Sequence, residues 1–238
     1  MCSNGLSTMT SRRRWLGGTV AGAMAASWQG GVSHHARAGQ SPAEGMSPQQ
    51  ALDFLHAGNA RFVAGKSEAP NRDIERLREV APRQTPFAAF LGCADSRVPI
   101  EIVFDQGFGD LFVTRIAGNV AATENIASLE FATQVLGAKV LYVLGHTACG
   151  AVSAAAKAEP VPGQISALFQ HIRPAVRAAR GDVDAAVREN VKLQAQTLVE
   201  ASTVISSLVS SGNVLVAGGI FDLQSGRVEP LELVPLGP

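Results

Sequence analysis

The sequence predicts an α/β fold: a mainly parallel β-sheet of four to five strands flanked by helices, with an N-terminal helical arm. Three observations predict it. Four runs are almost continuously apolar or β-branched, PFAAFLG (86–92), DLFVTRIAG (110–118), KVLYVLGH (139–146) and NVLVAGGIFD (213–222), as strands covered on both faces must be. Helical patterns lie between them, and strands alternating with helices indicate parallel crossovers. With 238 residues, 46% apolar and only 17% charged, the chain can bury one substantial core and is not a disordered polymer.

Taken in order, residues 39–46 form a Gly/Ser/Pro linker into a domain over 47–238. In SPQQALDFLHAGNARFVAG (47–65), Ser47 is an N-cap and Pro48 takes the first helical position. Leu52, Leu55, Ala60, Phe62 and Val63 give this arm an apolar stripe, which suits a neighbouring subunit. A second short helix is expected around 72–80. Residues 123–136 read as a helix capped by Thr123, and 163–180 as a helix kinked or split by Pro174. The longest helix is predicted over 182–211, beginning at Asp182, with Val183, Val187, Val191, Leu198, Ala201, Ile205 and Leu208 near helical spacing. The last strand turns through LQSGR into VEPLEL, which adds a C-terminal strand at a sheet edge.

The first 38 residues differ from the rest. Arg12–Arg14, a weakly apolar Gly/Ala-rich run and Ala36-Arg37-Ala38 follow the order of a cleavable export signal. Ser11-Arg12-Arg13-Arg14-Trp15-Leu16 matches the twin-arginine type, so a periplasmic location is expected. The apolar stretch is short and interrupted by glycines and Gln29, so no stable membrane anchor is expected. Cleavage after Ala38 removes four basic and no acidic residues, which leaves 16 basic against 20 acidic and a net charge of −4. No basic patch remains to recruit nucleic acid. Both tryptophans and Cys2 also leave, so the mature chain retains only Cys93 and Cys149. Outside the cytoplasm those two could form a disulfide.

In parallel sheets the active site lies beyond the carboxyl ends of the strands. Cys93 closes the first run there, and His146-x-x-Cys149 follows the third. Two cysteines and a histidine suit zinc, and three protein ligands leave the open fourth position of a catalytic site. A closed structural site needs a fourth ligand, yet only His56 and His171 remain in the mature chain, neither at a strand end. A disulfide would leave His146, Asp95 and Arg97 unexplained. Asp95 and Arg97 admit a plain reading as a loop salt bridge, which stabilises by about 0–1 kcal/mol. Beside zinc, Asp95 would instead orient the attacking oxygen while Arg97 holds the carboxylate ionised. Asp95 could also occupy the fourth zinc position and close the site.

These strings resemble the β-class carbonic anhydrases of plants and bacteria: CADSRVP (93–99), VFDQG (103–107), GDLFVTRIAGN (109–119), VLGHTACGAV (143–152) and AGGIFDLQSGRV (217–228). The resemblance covers most of residues 47–235. It implies reversible hydration of CO2 to bicarbonate and a proton by zinc-bound hydroxide, with one Zn2+ per subunit. It also implies a homodimer or dimer of dimers, with active sites at the subunit interface. By position, Cys93, His146 and Cys149 match the zinc ligands, and Asp95 with Arg97 matches the catalytic dyad. Gln84 and Phe112 match substrate-pocket positions, and Gly150 would offer a backbone N–H to substrate. Phe131 stands where many members carry a pocket tyrosine. Arg115 matches an arginine of the bicarbonate-regulated subgroup, but Phe90 replaces that subgroup's tryptophan, so an unregulated enzyme is expected. The remaining readings are a relative acting on COS or CS2, or a catalytically silent zinc-binding scaffold.

Overall fold

The computed structural model describes residues 45–157 and 159–233; the basic leader lies outside them. Five strands form one sheet: β1 (Ala88–Gly92), β2 (Leu111–Arg115), β3 (Val140–His146), β4 (Leu215–Phe221) and β5 (Val228–Leu231), in the spatial order β2-β1-β3-β4-β5. The first four run parallel, and β5 pairs antiparallel with β4 at the edge. The apolar runs thus become strands, and the expected C-terminal strand takes its place.

Side chains alternate across the sheet, and this separates two cores. Ala89 and Leu91 of β1 and Cys93 just beyond it, with Leu141 and Val143 of β3, face one layer. That layer includes α4 (Thr123–Glu130), α5 (Gly150–Lys157), α6 (Phe169–Ala178), α7 (Val183–Ala201) and α8 (Thr203–Ser210). Ala88, Phe90, Val140, Tyr142 and Leu144 face the other way. There they meet α1 (Pro48–Val63) and α3 (Ile100–Val103), while α2 (Ile74–Val80) buries no residue.

Ser47 caps α1 through a reciprocal capping box with Gln50, as its position before Pro48 predicts. Of the arm's apolar stripe, Leu55 is fully buried in the core beside Ala51, Leu52 and Phe62 pack partly buried against it, and Ala60 is exposed. Asn59 fastens the arm further, donating to the Val103 and Gly226 carbonyls and accepting from Val228 N–H. Buried Asp105 accepts from Arg61 Nε at 2.7 Å and from the Glu68 and Ala69 amides, which holds the chain beyond α1 against α3.

Three helix expectations are corrected. Thr123 is the first helical residue, and Ala122 holds the cap position without a side-chain bond; the helix then runs into a wider π turn over Phe131–Val135. Pro174 lies inside an unbroken α6, and the break falls earlier, where a 3-10 turn (Ile165–Leu168) precedes Phe169. The long helix divides at Ser202, whose extended backbone ends α7 and whose hydroxyl caps Ile205 N–H of α8. That hydroxyl also donates to Glu130 Oε1, so a distant carboxylate helps fix the break.

Candidate metal centre

Register brings the chemical residues together. Gly92 lies opposite Leu144, so the next residues, Cys93 and Gly145–His146, leave adjacent strands at the same end of the sheet. The chain then turns through Thr147 and Ala148, which takes a positive φ of 54°, and Cys149 precedes the first turn of α5. The sulfurs of Cys93 and Cys149 and a ring nitrogen of His146 all lie within 4.8 Å of one another, and all three residues are buried. Both cysteines are free thiols, so the structure joins them by no disulfide.

The donor set fits a borderline-soft divalent cation. His146 Nδ1 lies 2.9 Å from the Thr147 carbonyl. A carbonyl only accepts, so Nδ1 carries the proton and Nε2 presents its lone pair. Nε2 is buried without a hydrogen-bond partner among the described residues. The Cys149 thiol, donating toward Cys93, draws the Cys93 thiol down to about 4 although burial opposes this. The same bond, then burial, pushes the Cys149 thiol up. A dication would replace the Cys149 proton and occupy the idle imidazole nitrogen. Backbone donors reach both sulfurs: Gly118 N–H at 3.3 Å and Asp95 N–H at Cys93, Ala151 and Val152 N–H at Cys149.

Asp95 rests on Arg97. Its Oδ1 accepts from Arg97 N–H and Nε, each at 2.9 Å, and its Oδ2 accepts from the other arm of the guanidinium at 2.8 Å. The guanidinium bond, ahead of every other cause, holds the carboxyl well below the usual carboxylate range. Oδ2 is 3.8 Å from His146 Nε2, so the carboxylate stands beside the ligand cluster. Arg115, matched at first only to a regulatory position, braces the same loop by donating to the Cys93 and Asp95 carbonyls. The outer side of Arg97 opens to a cleft of about 560 Å³ that Thr147, Ala148 and Asp222 also line.

The pocket positions converge less completely. Phe112 and Phe131 face each other with ring centroids 6.4 Å apart, and Phe112 packs on the core that contains both cysteines. Gly150 opens α5 directly after Cys149, with free space around it. Gln84 does not join them within one chain. It lies exposed before β1, whereas Cys93 follows the opposite end of that strand. His56 rests edge-on against Tyr142 in the other core, and His171 contacts Gln170, so neither supplies a fourth ligand.

Two polar residues escaped the sequence reading. Asn190 and Gln194 of α7 are 1% exposed and reach the loop after β2. Their signal was available, because they fall on the apolar stripe of Val187, Val191 and Leu198 at helical spacing.

A parallel sheet with a Cys2His cluster at its carboxyl end, flanked by an Asp–Arg pair, defines a metalloenzyme of the zinc type. Residues 88–228 match the family model described as carbonic anhydrase. Carbonic anhydrase 2 of Mycobacterium tuberculosis is 37% identical over 189 residues, 76% of this chain and 91% of that protein. The carbonic anhydrase of Mycolicibacterium smegmatis is 37% identical over 191 residues, covering 77% and 93%. Among solved structures, a Coccomyxa β-carbonic anhydrase in complex with acetazolamide superposes with a TM-score of 0.61 at 25% identity, covering 79% of this chain and 85% of that one. The chain belongs to the carbonic anhydrase family, and its fold places it in the β class.

Proposed function

We propose that this protein is a zinc-dependent carbonic anhydrase that interconverts CO2 with bicarbonate and a proton. The observation that carries the reading is one cluster: Cys93, His146 and Cys149 within 4.8 Å, with the Asp95 carboxylate 3.8 Å from the histidine nitrogen. Zinc held by those three residues would supply Lewis acidity that makes water a nucleophile near neutral pH. Each remaining task falls to the chain. Asp95, kept ionised by Arg97, accepts a hydrogen bond from the attacking oxygen and so orients its lone pair toward CO2. Arg115 holds the carbonyls of that loop and thereby the position of Asp95. Phe112 and Phe131 form an apolar wall that suits an uncharged substrate. Gly150 N–H, at the start of α5, would donate to an oxygen of the product bicarbonate.

Gln84 enters from a second copy in this reading, because its own chain places it at the far end of β1. An oligomer also accounts for the exposed side chains of Ile74, Leu77, Ile102 and Phe108. Phe90 is buried and stacked on Tyr142, and Arg115 is engaged by two carbonyls; both support an enzyme without bicarbonate regulation. Export through the twin-arginine route is part of the proposal, supported by Ser11–Leu16 and Ala36-Arg37-Ala38. That route carries folded proteins, so the thiols could take up zinc before meeting an oxidising compartment. None of the described helices is long and apolar enough to cross a membrane.

Stopped-flow CO2 hydration on protein of known zinc content tests the activity. Zinc-loaded protein that fails to hydrate CO2 at alkaline pH refutes it, and COS or CS2 turnover in the same preparation would redirect the substrate assignment. Both tryptophans, Trp15 and Trp28, precede Ala38. The exported form should therefore lack tryptophan emission, and a periplasmic form that retains it contradicts the cleavage site.

A further inference from the structure

Of the amides that serve the two sulfurs, three are local. Asp95 lies two residues beyond Cys93, and Ala151 and Val152 lie two and three beyond Cys149, so the turns themselves deliver them. The Gly118 amide is different, because it comes from a loop 25 residues away and still ends 3.3 Å from Cys93 Sγ. Gly118 has φ +75°, and a Cβ there would meet Ile172 Cδ1 at 2.7 Å and Ala151 Cβ at 3.2 Å. Only glycine fits this close approach in a left-handed conformation. A loop held in such a conformation needs restraint from outside itself.

The restraint is a buried polar network on α7. Asn190 Nδ2 donates to the Gly118 carbonyl at 2.9 Å. Gln194 Oε1 accepts from Ala121 N–H at 2.8 Å, and Gln194 Nε2 donates to Asn190 Oδ1 and to the His171 carbonyl, each at 3.0 Å. Both amide side chains occupy places on a helix face that would otherwise be aliphatic, which is costly unless every polar atom is satisfied. Here Oδ1, Nδ2, Oε1 and Nε2 all have partners. Gly118 thus carries a side-chain donor on its carbonyl and a cysteine sulfur on its N–H, so both peptide groups that flank its Cα are held.

We infer that Asn190 and Gln194 are positioning residues for the metal centre: they hold the loop after β2 so that Gly118 N–H donates to the Cys93 sulfur. That hydrogen bond draws charge from the sulfur and fixes its lone pairs before metal arrives, so its loss costs the site its preorganisation. The inference rests on Cys93 being a metal ligand, and the test separates the two claims.

The experiment uses the full chain loaded with Co2+ in place of zinc and reads the sulfur-to-cobalt charge-transfer band, together with zinc affinity by chelator competition. The parent should show the band; its absence would overturn the thiolate site and this inference with it. Asn190→Leu keeps the bulk but removes the donor. It should shift the band to lower energy and weaken zinc binding by roughly 10- to 100-fold, the range for groups that orient metal ligands. Leu198→Ala on the same helix removes packing but no bond to the loop. It should lower the melting temperature while leaving band and zinc affinity unchanged. If Asn190→Leu does not fold, Gln194→Met gives the same readings, since it fills the same space and removes the bonds to Ala121 N–H, Asn190 Oδ1 and the His171 carbonyl. Folded variants whose band and zinc affinity match the parent, with only melting altered, would overturn the inference and leave Asn190 and Gln194 as core residues.

Discussion

Replacing Asp95 by Asn separates catalysis from stability. Asp95 Oδ1 meets two Arg97 donors and Oδ2 meets one, so the amide settles with its oxygen at the Oδ1 site and its NH2 at the Oδ2 site. There it faces the guanidinium, donor against donor, and one bond of three is lost. Arg97 has a side chain 55% exposed, so water takes up the released donor and the fold is little affected. Melting should stay within about 4 °C of the parent. The zinc content should also be retained, because Cys93, His146 and Cys149 are untouched. Turnover should behave differently. The amide bears no negative charge and turns a donor toward His146, so it cannot accept the bond that orients the attacking oxygen. A loss of roughly 10²- to 10⁴-fold in kcat follows for a positioned acid–base group, about 3–5 kcal/mol on the barrier. Stopped-flow hydration beside zinc analysis and thermal melting makes the comparison. A zinc-replete variant within threefold of parental turnover would refute the assignment of Asp95.

Three further perturbations test the rest of the structure. Stripping the metal with a chelator should lower the melting temperature by about 8–16 °C when the site had been near-saturated, since a ligand at a thousand times its Kd stabilises by about 4 kcal/mol; an unchanged melt would count against a metal held by the folded state. Asp105→Asn leaves Arg61 facing a buried site without its counter-charge and should destabilise by about 3 kcal/mol at neutral pH. Burial pushes the Asp105 carboxyl up, but Arg61 and the Glu68 and Ala69 amides outweigh it and hold the pKa below its ordinary value. Its stabilisation is therefore complete above about pH 4 and lost as pH falls through the lower folded value, so urea melts of parent and variant should converge in acid. Tyr142→Phe should raise stability by roughly 1 kcal/mol, because the Tyr142 hydroxyl is fully buried with no partner among the described residues. A fall in melting temperature of more than about 2 °C would show that the hydroxyl has a partner.

How much of this was legible in the sequence depends on the range of the interaction. Strand positions and order of chemistry were readable because burial on both faces forces continuous apolar runs, and a parallel sheet fixes the end at which Cys93 and His146 emerge. The Ser47 cap was equally local. Helix boundaries failed where a remote partner decides them. Ser202 breaks the long helix with Glu130 bonded to its hydroxyl, 72 residues away, and no periodicity within 182–211 records that. Pro174 suggested a break that α6 does not make. Asp105 and Asp110 are fully buried and bonded to groups preceding β1, Arg61 to the first and Asn71 to the second, which no local pattern records. The choice of Asp95 between arginine and metal needed coordinates, since both partners are within reach from the sequence alone.

The amides around the two sulfurs have a consequence for how this site withstands mutation. Among the described residues, the non-ligand groups that draw the two thiols down are all backbone amides, at positions 95, 118, 151 and 152. Side-chain replacement alters bulk and charge but cannot delete a peptide N–H. Proline alone can, at any of those four positions. The neighbourhood of the metal can therefore drift widely in amino-acid identity while the sulfurs keep the same donors, and an inherited site of this kind is defended by chain path more than by residue type.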